Sequence, residues 1–206
     1  MNRSELPQLY LASTSPYRAE LLGRLKIPFE TRDPAVDETP IPGEQPKTLA
    51  LRLAKMKAQS NTLDQGIIIG SDQVAACEGE TLGKPGNRAN AHAQLSYCSG
   101  KVVTFYTALA LWIPNEQLLL TEVVPFEVTL RSLSSAEIDR YLAFDQPFDC
   151  AGSFKWEALG ISLFDRMDGN DPTSLQGLPL IALCRLLRAQ SVAIPPVIQT
   201  INQRLQ

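Results

Sequence analysis

Ile67-Ile68-Ile69-Gly70, followed at once by Ser71-Asp72-Gln73-Val74, is the stretch on which the fold turns. Its apolar, β-branched opening reads as a buried strand. The end of that strand is expected to deliver Asp72 beyond the sheet, where α/β proteins open their ligand crevices. A second apolar run, Leu9-Tyr10-Leu11-Ala12, leads into Ser13-Thr14-Ser15-Pro16-Tyr17-Arg18. Ser15 suits a helix N-cap, and Pro16 suits the first helical position, where a missing amide would be unpaired anyway. Free amides, three hydroxyls and the Arg18 guanidinium could converge there on an anion. An ordinary capped helix explains Ser-Pro equally well.

Leu82-Gly83-Lys84-Pro85 is the third informative run. Gly83 permits close backbone approach and Pro85 fixes the chain after Lys84. It is not a P-loop: Gly79 to Lys84 has one intervening residue too few, and Pro85 stands where Ser or Thr should meet magnesium.

With 206 residues, of which 44% are hydrophobic, the chain has enough for one substantial domain or two lobes sharing a cleft. A net charge of −3 leaves no footprint for DNA or RNA, so a small anion is favoured over a polymer. Cys77, Cys98, Cys150 and Cys184 form no C-x-x-C pair and read as four buried thiols in a reducing compartment. No signal-peptide pattern opens the chain, and no apolar run approaches the ~20 residues of a membrane span. The expectation is a soluble, cytoplasmic protein without a nucleic-acid or membrane partner.

Strand and helix signals alternate in the first half, which predicts an α/β fold. Ala19, Leu21, Leu22 and Leu25 give a helix face, and Phe29-Glu30-Thr31 begins a strand. The prolines between 34 and 46 make a loop carrying Asp37 and Glu38. A helix is predicted from about Lys47 to Ser60, with Leu49, Leu53 and Met56 on one face and Lys55 beside them. Residues 87–98 suit another helix. Val102–Ile113 and Leu118–Leu130, joined by Pro114-Asn115-Glu116, read as an antiparallel pair. Ser134-Ser135-Ala136-Glu137 is a capping box opening a helix with Ile138, Tyr141 and Leu142. A loop or bent strand follows through Asp149 to Ser153, a turn at Asp168 to Pro172, and a last helix from Leu178 to Leu187. Residues 191–206 read as a tail appended to a domain spanning 1–190.

The single histidine, His92, falls inside a predicted helix without a nucleophile motif beside it. A Ser-His-Asp hydrolase and a His-rich zinc site both lack the imidazoles they need. Acid–base work therefore falls to carboxylates, with Asp72 and Glu38 the candidates and Asp37 a weaker third. Oxygen-only ligands suit Mg²⁺ or Mn²⁺, which bind phosphate oxygens at the same time. The plainer alternatives are that Asp72 caps a turn, Glu38 is solvated, and Lys55 is a surface lysine.

The ordered series Ser13-Thr14-Ser15-Pro16-Tyr17-Arg18, Asp37-Glu38, Lys55, Ser71-Asp72-Gln73-Val74, Gly83-Lys84-Pro85, Ser99-Gly100-Lys101, Ala151-Gly152-Ser153-Phe154 and Gly177-Leu178-Pro179 resembles the Maf family of nucleotide pyrophosphatases. The resemblance implies a mixed, twisted α/β sheet with two lobes around a cleft, related to the inosine-triphosphate pyrophosphatases. It implies hydrolysis of nucleoside triphosphates to monophosphate and pyrophosphate with a divalent cation. Position by position, Asp72 matches the proton acceptor and, with Glu38, the metal-associated carboxylates. Ser13, Arg18, Lys55 and Lys84 match the phosphate contacts. Homodimers are common among relatives. Tyr17, Gln73 and Glu157 resemble the branch that acts on 7-methyl-GTP, whose cationic base an aromatic face and a carboxylate would attract. The alternatives are the dTTP/UTP-preferring branch and a nucleotide-binding regulator of cell division without catalysis.

Overall fold

The computed structural model describes residues 7–60 and 62–196. Among the described residues, seven strands form one mixed sheet in the order β2-β1-β3-β5-β6-β7, with β4 paired to β3 off that path. They are β1 (Leu9–Ala12), β2 (Phe29–Arg32), β3 (Ile67–Cys77), β4 (Glu80–Leu82), β5 (Val102–Ile113), β6 (Leu118–Leu130) and β7 (Phe164–Asp168). Five α-helices among the described residues cover it: α1 (Pro16–Gly23), α2 (Pro46–Gln59), α3 (Arg88–Cys98), α4 (Ser135–Asp145) and α5 (Leu180–Ala189). The mixed α/β sheet expected from the sequence is present. The predicted hairpin has the bounds of β5 and β6, joined by a 3₁₀ turn at Pro114–Glu116. Ser134 and Glu137 form the expected capping box of α4.

The strand predicted to end near Gly70 instead continues to Cys77, so Asp72 lies inside β3 rather than beyond its end. What ends at Gly70 is the neighbour. β1 runs parallel to β3 only from Leu9↔Ile67 to Ala12↔Gly70, whereas β5 pairs with β3 from Ile68 to Cys77 on the other side. β4 pairs antiparallel with β3 from Ala75 to Cys77. With β5 filling one edge throughout, β1 and β4 share the opposite edge and leave Ser71 to Val74 between them. A short polar stretch in an otherwise apolar strand thus coincides with a gap in the sheet.

Side-chain alternation along β3 divides the cores. Ile67 and Ile69 belong to an apolar cluster with Leu9, Leu11 and α5 residues Leu183 and Leu187. Ala75 and Cys77, on the same face, belong to a second cluster with Phe105, Phe126, Leu95 and Leu142. Ser71 and Gln73 fall between the two. On the opposite face Val74 joins Leu49, Leu53, Ala54 and Ala58 of α2. Gly70 lets α2 approach: a Cβ there would lie 2.3 Å from the Ala54 carbonyl oxygen. That contact is far inside van der Waals distance, so any side chain would displace the helix.

Three local expectations change. The stretch predicted as loop or bent strand holds a 3₁₀ turn at Ala151–Ser153. Cys77 and Cys98 are buried thiols, but Cys150 and Cys184 are only partly buried. After α5 the chain returns to the first core, with Val192 2% exposed. The rest of the predicted tail, residues 197–206, lies outside the described residues.

Candidate functional site

The gap in the sheet gathers the three motif runs for a topological reason. β1 is parallel to β3, so the chain leaving Ala12 heads toward the gap and places Ser13 to Arg18 there. β4 is antiparallel, so the chain leaving Leu82 heads toward the same gap from the other end, carrying Gly83 and Lys84. β2 is parallel to β1 and opens at that end too, followed by the loop that carries Glu38. Asp72, in the middle, is the residue toward which the others run.

Asp72 is 6% exposed and points toward α2. Its Oδ1 accepts a 2.6 Å hydrogen bond from Lys57 Nζ. The same ammonium lies 2.6 Å from Glu38 Oε1. Lys57 is itself 4% exposed, so two carboxylates from different segments meet on one buried cation. Burial raises the pKa of Asp72 above its ordinary value, although the charges of Lys57 and Arg18 and the Lys57 hydrogen bond oppose the rise. Glu38 moves the other way. Its partial burial raises the pKa, but the hydrogen bond and charge of Lys57, with the charges of Arg18 and Lys84, outweigh burial and lower it. The two acids differ in depth: Glu38's side chain is 59% exposed.

Arg18 stands on the first turn of α1, whose Ser15 N-cap accepts from the Arg18 amide at 3.4 Å. Its Nε donates to the Gly177 carbonyl at 2.8 Å, and Nη1 donates to Ser13 Oγ at 3.4 Å. Burial lowers the Arg18 pKa while the charges of Asp72 and Glu38 raise it. The structure therefore brings Ser13, Arg18, Glu38, Asp72 and, through its field on Glu38, Lys84 to one place.

Lys55 does not join them. It is partly exposed on α2 and makes no hydrogen bond or ion pair among the described residues. Two residues along a helix are about 200° apart, so a helix that turns Lys57 inward turns Lys55 away. The spacing carries the distinction: Leu49, Leu53 and Lys57 are four apart, and Lys57 continues the apolar stripe rather than flanking it. Asp37 is occupied elsewhere, its Oδ1 accepting from Thr39 N at 2.9 Å in an exposed turn.

The three residues expected to select the base are not assembled by any contact. Tyr17 is 41% exposed beside Arg18. Gln73 donates its amide to the Ser174 carbonyl at 2.6 Å and to Thr107 Oγ1 at 3.0 Å, leaving its own carbonyl oxygen to offer. Glu157 is exposed in the turn after Ala151–Ser153. His92 bonds Ser135 Oγ at 3.0 Å on the α3–α4 side, apart from these groups.

No cluster of three or more His, Cys, Asp or Glu suited to a metal occurs among the described residues. The pair that could take one is Asp72 with Glu38, hard oxygen donors already sharing a cation. No helix among the described residues is long and apolar enough to cross a membrane.

Among solved structures, the chain is similar to the Ham1 protein of Staphylococcus aureus, at 11% identity and a TM-score of 0.52. That match covers 89% of this chain and 99% of the other. A HAM1 protein from Coxiella burnetii matches at 16% identity with a TM-score of 0.45, covering 61% of this chain and 73% of its own. The first of these likenesses extends to the overall fold. A family model described as Maf-like protein matches residues 8–190, the span that contains every group converging on the sheet gap, and the chain belongs to that Maf-like family.

Proposed function

We propose that this chain is a nucleoside-triphosphate pyrophosphatase that prefers 7-methyl-GTP and works with Mg²⁺ or Mn²⁺. The observation that carries the reading is the buried Lys57 shared by Asp72 and Glu38 beside Arg18, a charge arrangement suited to water activation next to a polyphosphate. Water attacks the α-phosphorus, the bond from that phosphorus to the α–β bridging oxygen breaks, and pyrophosphate leaves with the electron pair. Asp72 accepts the proton of the attacking water. Its raised pKa brings it closer to the operating pH, which favours a general base. The charge and hydrogen bond of Lys57 oppose the rise that burial gives that carboxylate's pKa, and Arg18, Ser13 and Lys84 hold the phosphates. Asp72 and Glu38 would hold a divalent ion, which would supply charge neutralisation on the phosphate oxygens.

Base choice is assigned to Tyr17, whose exposed ring can stack on a cationic base, and to Glu157, with Gln73 contributing its carbonyl oxygen. The test is pyrophosphate release by purified protein from 7-methyl-GTP, GTP, dTTP and UTP, with and without chelator. The expected result is highest kcat/KM on 7-methyl-GTP by about tenfold or more, lost in chelator and reduced in Tyr17→Ala. Preference for dTTP or UTP would remove the base assignment alone. Nucleotide binding without pyrophosphate release would leave the regulator reading.

A further inference from the structure

Gly177 lies outside the converging runs, yet it touches one of the cations of the site, Arg18. It ends the 3₁₀ turn Pro172–Gln176 with φ +95°, a conformation that favours glycine. A Cβ there would also lie 3.2 Å from Arg18 Nε. Its carbonyl accepts from that same Nε at 2.8 Å.

The turn is tied down on three sides. Ser71 Oγ lies 2.9 Å from the Gly177 carbonyl oxygen and 2.8 Å from that of Ala108, so its one proton anchors the turn to the sheet. The Ser174 carbonyl accepts from Gln73 Nε2 at 2.6 Å and from Thr107 Oγ1 at 2.9 Å. At the far side Asp171, 2% exposed, accepts from Thr173 N at 3.1 Å and from Ile181 N at 2.7 Å, joining the turn to the start of α5. The polar break between the two apolar cores is therefore filled by this turn.

We propose that the Asp171–Gly177 turn is a positioning strap for Arg18: the Gly177 carbonyl, anchored by the Ser71 hydroxyl, fixes the guanidinium so that its remaining edge faces the triphosphate. A guanidinium is a rigid plane, so fixing Nε fixes the direction of both terminal nitrogens. Nη1 reaches Ser13 Oγ, and Nη2 has no hydrogen-bond partner among the described residues. Bidentate phosphate recognition depends on that orientation as well as on charge. Gly177 and Ser71 are positioning residues that act through Arg18. The role rests on the phosphate-binding reading of Arg18.

The test compares wild type, Gly177→Ala and Ser71→Ala with Gly79→Ala, a glycine at φ +87° in the β3–β4 turn whose surroundings are open. The measurements are hydrogen exchange at Arg18 Nε, assigned through Arg18→Lys, affinity for inorganic pyrophosphate, and kcat/KM on 7-methyl-GTP, dTTP and UTP. In wild type the Nε proton exchanges slowly. Each strap variant speeds that exchange, weakens pyrophosphate binding by about tenfold, and lowers kcat/KM by a similar factor on all three nucleotides. Gly79→Ala lowers the melting temperature and leaves those quantities alone. Fast exchange in wild type overturns the strap, as do variants that free the proton yet keep pyrophosphate affinity. Should Gly177→Ala fail to fold, Ser71→Ala decides. Wild type that binds pyrophosphate through a protected Arg18 but releases none from any nucleotide sustains the strap and overturns the pyrophosphatase reading.

Discussion

The two faces of β3 handle polarity differently within five residues, Gly70 to Val74. Toward α2, Gly70, Asp72 and Val74 meet a helix, and the polar member is an ion pair with a buried lysine. Toward the Asp171–Gly177 turn, Ser71 and Gln73 meet backbone carbonyls through neutral hydrogen bonds. The neutral face ties its donors to backbone carbonyls and rigidifies, with the Gln73 carbonyl oxygen left to offer. The ionic face keeps a carboxylate whose pKa burial has shifted upward, and it does so beside the gap in the sheet. Reactivity and rigidity are separated by the pleat of one strand.

The largest expected effect falls on the ionic face. Asp72→Asn keeps the shape and removes the base, so turnover falls by roughly 10²- to 10⁴-fold while circular dichroism and melting stay close to wild type. Near-normal turnover in the folded variant would remove Asp72 from the chemistry and erase the distinction between the faces.

Lys57→Met leaves Asp72 buried without its cation. Breaking such a pair costs about 3 to 5 kcal/mol, discounted here because Glu38 is largely exposed. Denaturant unfolding measures the loss, and the double variant Lys57→Met/Asp72→Asn is expected to recover part of it. Strict additivity would show that the two groups do not interact. The same substitutions at Lys55 are expected to change stability little, since Lys55 makes no polar contact.

Gly70→Ala sharpens the comparison by acting on one face only. Its methyl would meet the Ala54 carbonyl oxygen at 2.3 Å and the Ala58 amide nitrogen at 2.5 Å, so α2 must shift outward. The expected loss is about 1 to 3 kcal/mol by thermal or denaturant unfolding. Slow exchange at Arg18 Nε should persist, because the strap lies on the other face. A variant that disturbed both faces equally would show that they are not independent.

The smallest effect belongs to a carboxylate remote from the gap. Glu137 has its pKa lowered to about 2, first by the hydrogen bond from the Ser134 backbone, then by the Ser134 hydroxyl and Arg131. A depressed carboxylate contributes stability above its unfolded value and loses it as pH falls toward the folded one. Wild type should therefore be more stable than Glu137→Gln at neutral pH, with the difference shrinking from about pH 4.5 down to about pH 2 in acid titrations of melting temperature. A constant difference across that window would assign the effect to packing. Asp72, shifted upward by burial, has the opposite sign: its contribution is present at low pH and declines as pH rises through its raised value.

Much of this was legible along the chain, because local rules act over a few residues. The bounds of β5 and β6, the capping box at Ser134, the Ser15 cap and the runs containing Arg18, Asp72 and Lys84 all follow from alternation, turn chemistry and caps. Lys57 was legible in principle from its place four residues after Leu53, but the choice between Lys55 and Lys57 depends on which helix face meets the sheet. The end of β3 is hidden from the sequence for a related reason. Polarity at Ser71-Asp72-Gln73 resembles a strand terminus, whereas it marks the loss of one neighbouring strand while the other continues.

The sequence by itself determined the β5–β6 hairpin, the caps of α1 and α4, the family-like motif series and the acids and cations available for chemistry, since each depends on residue type and short spacing. Only the tertiary structure decided that β1 and β4 leave a gap opposite Asp72, that Lys57 joins Asp72 to Glu38, and that Gly177 holds Arg18 from 159 residues away. Those outcomes depend on which edges pair and which faces pack. They are set by burial of distant apolar surface, and no local pattern carries that information.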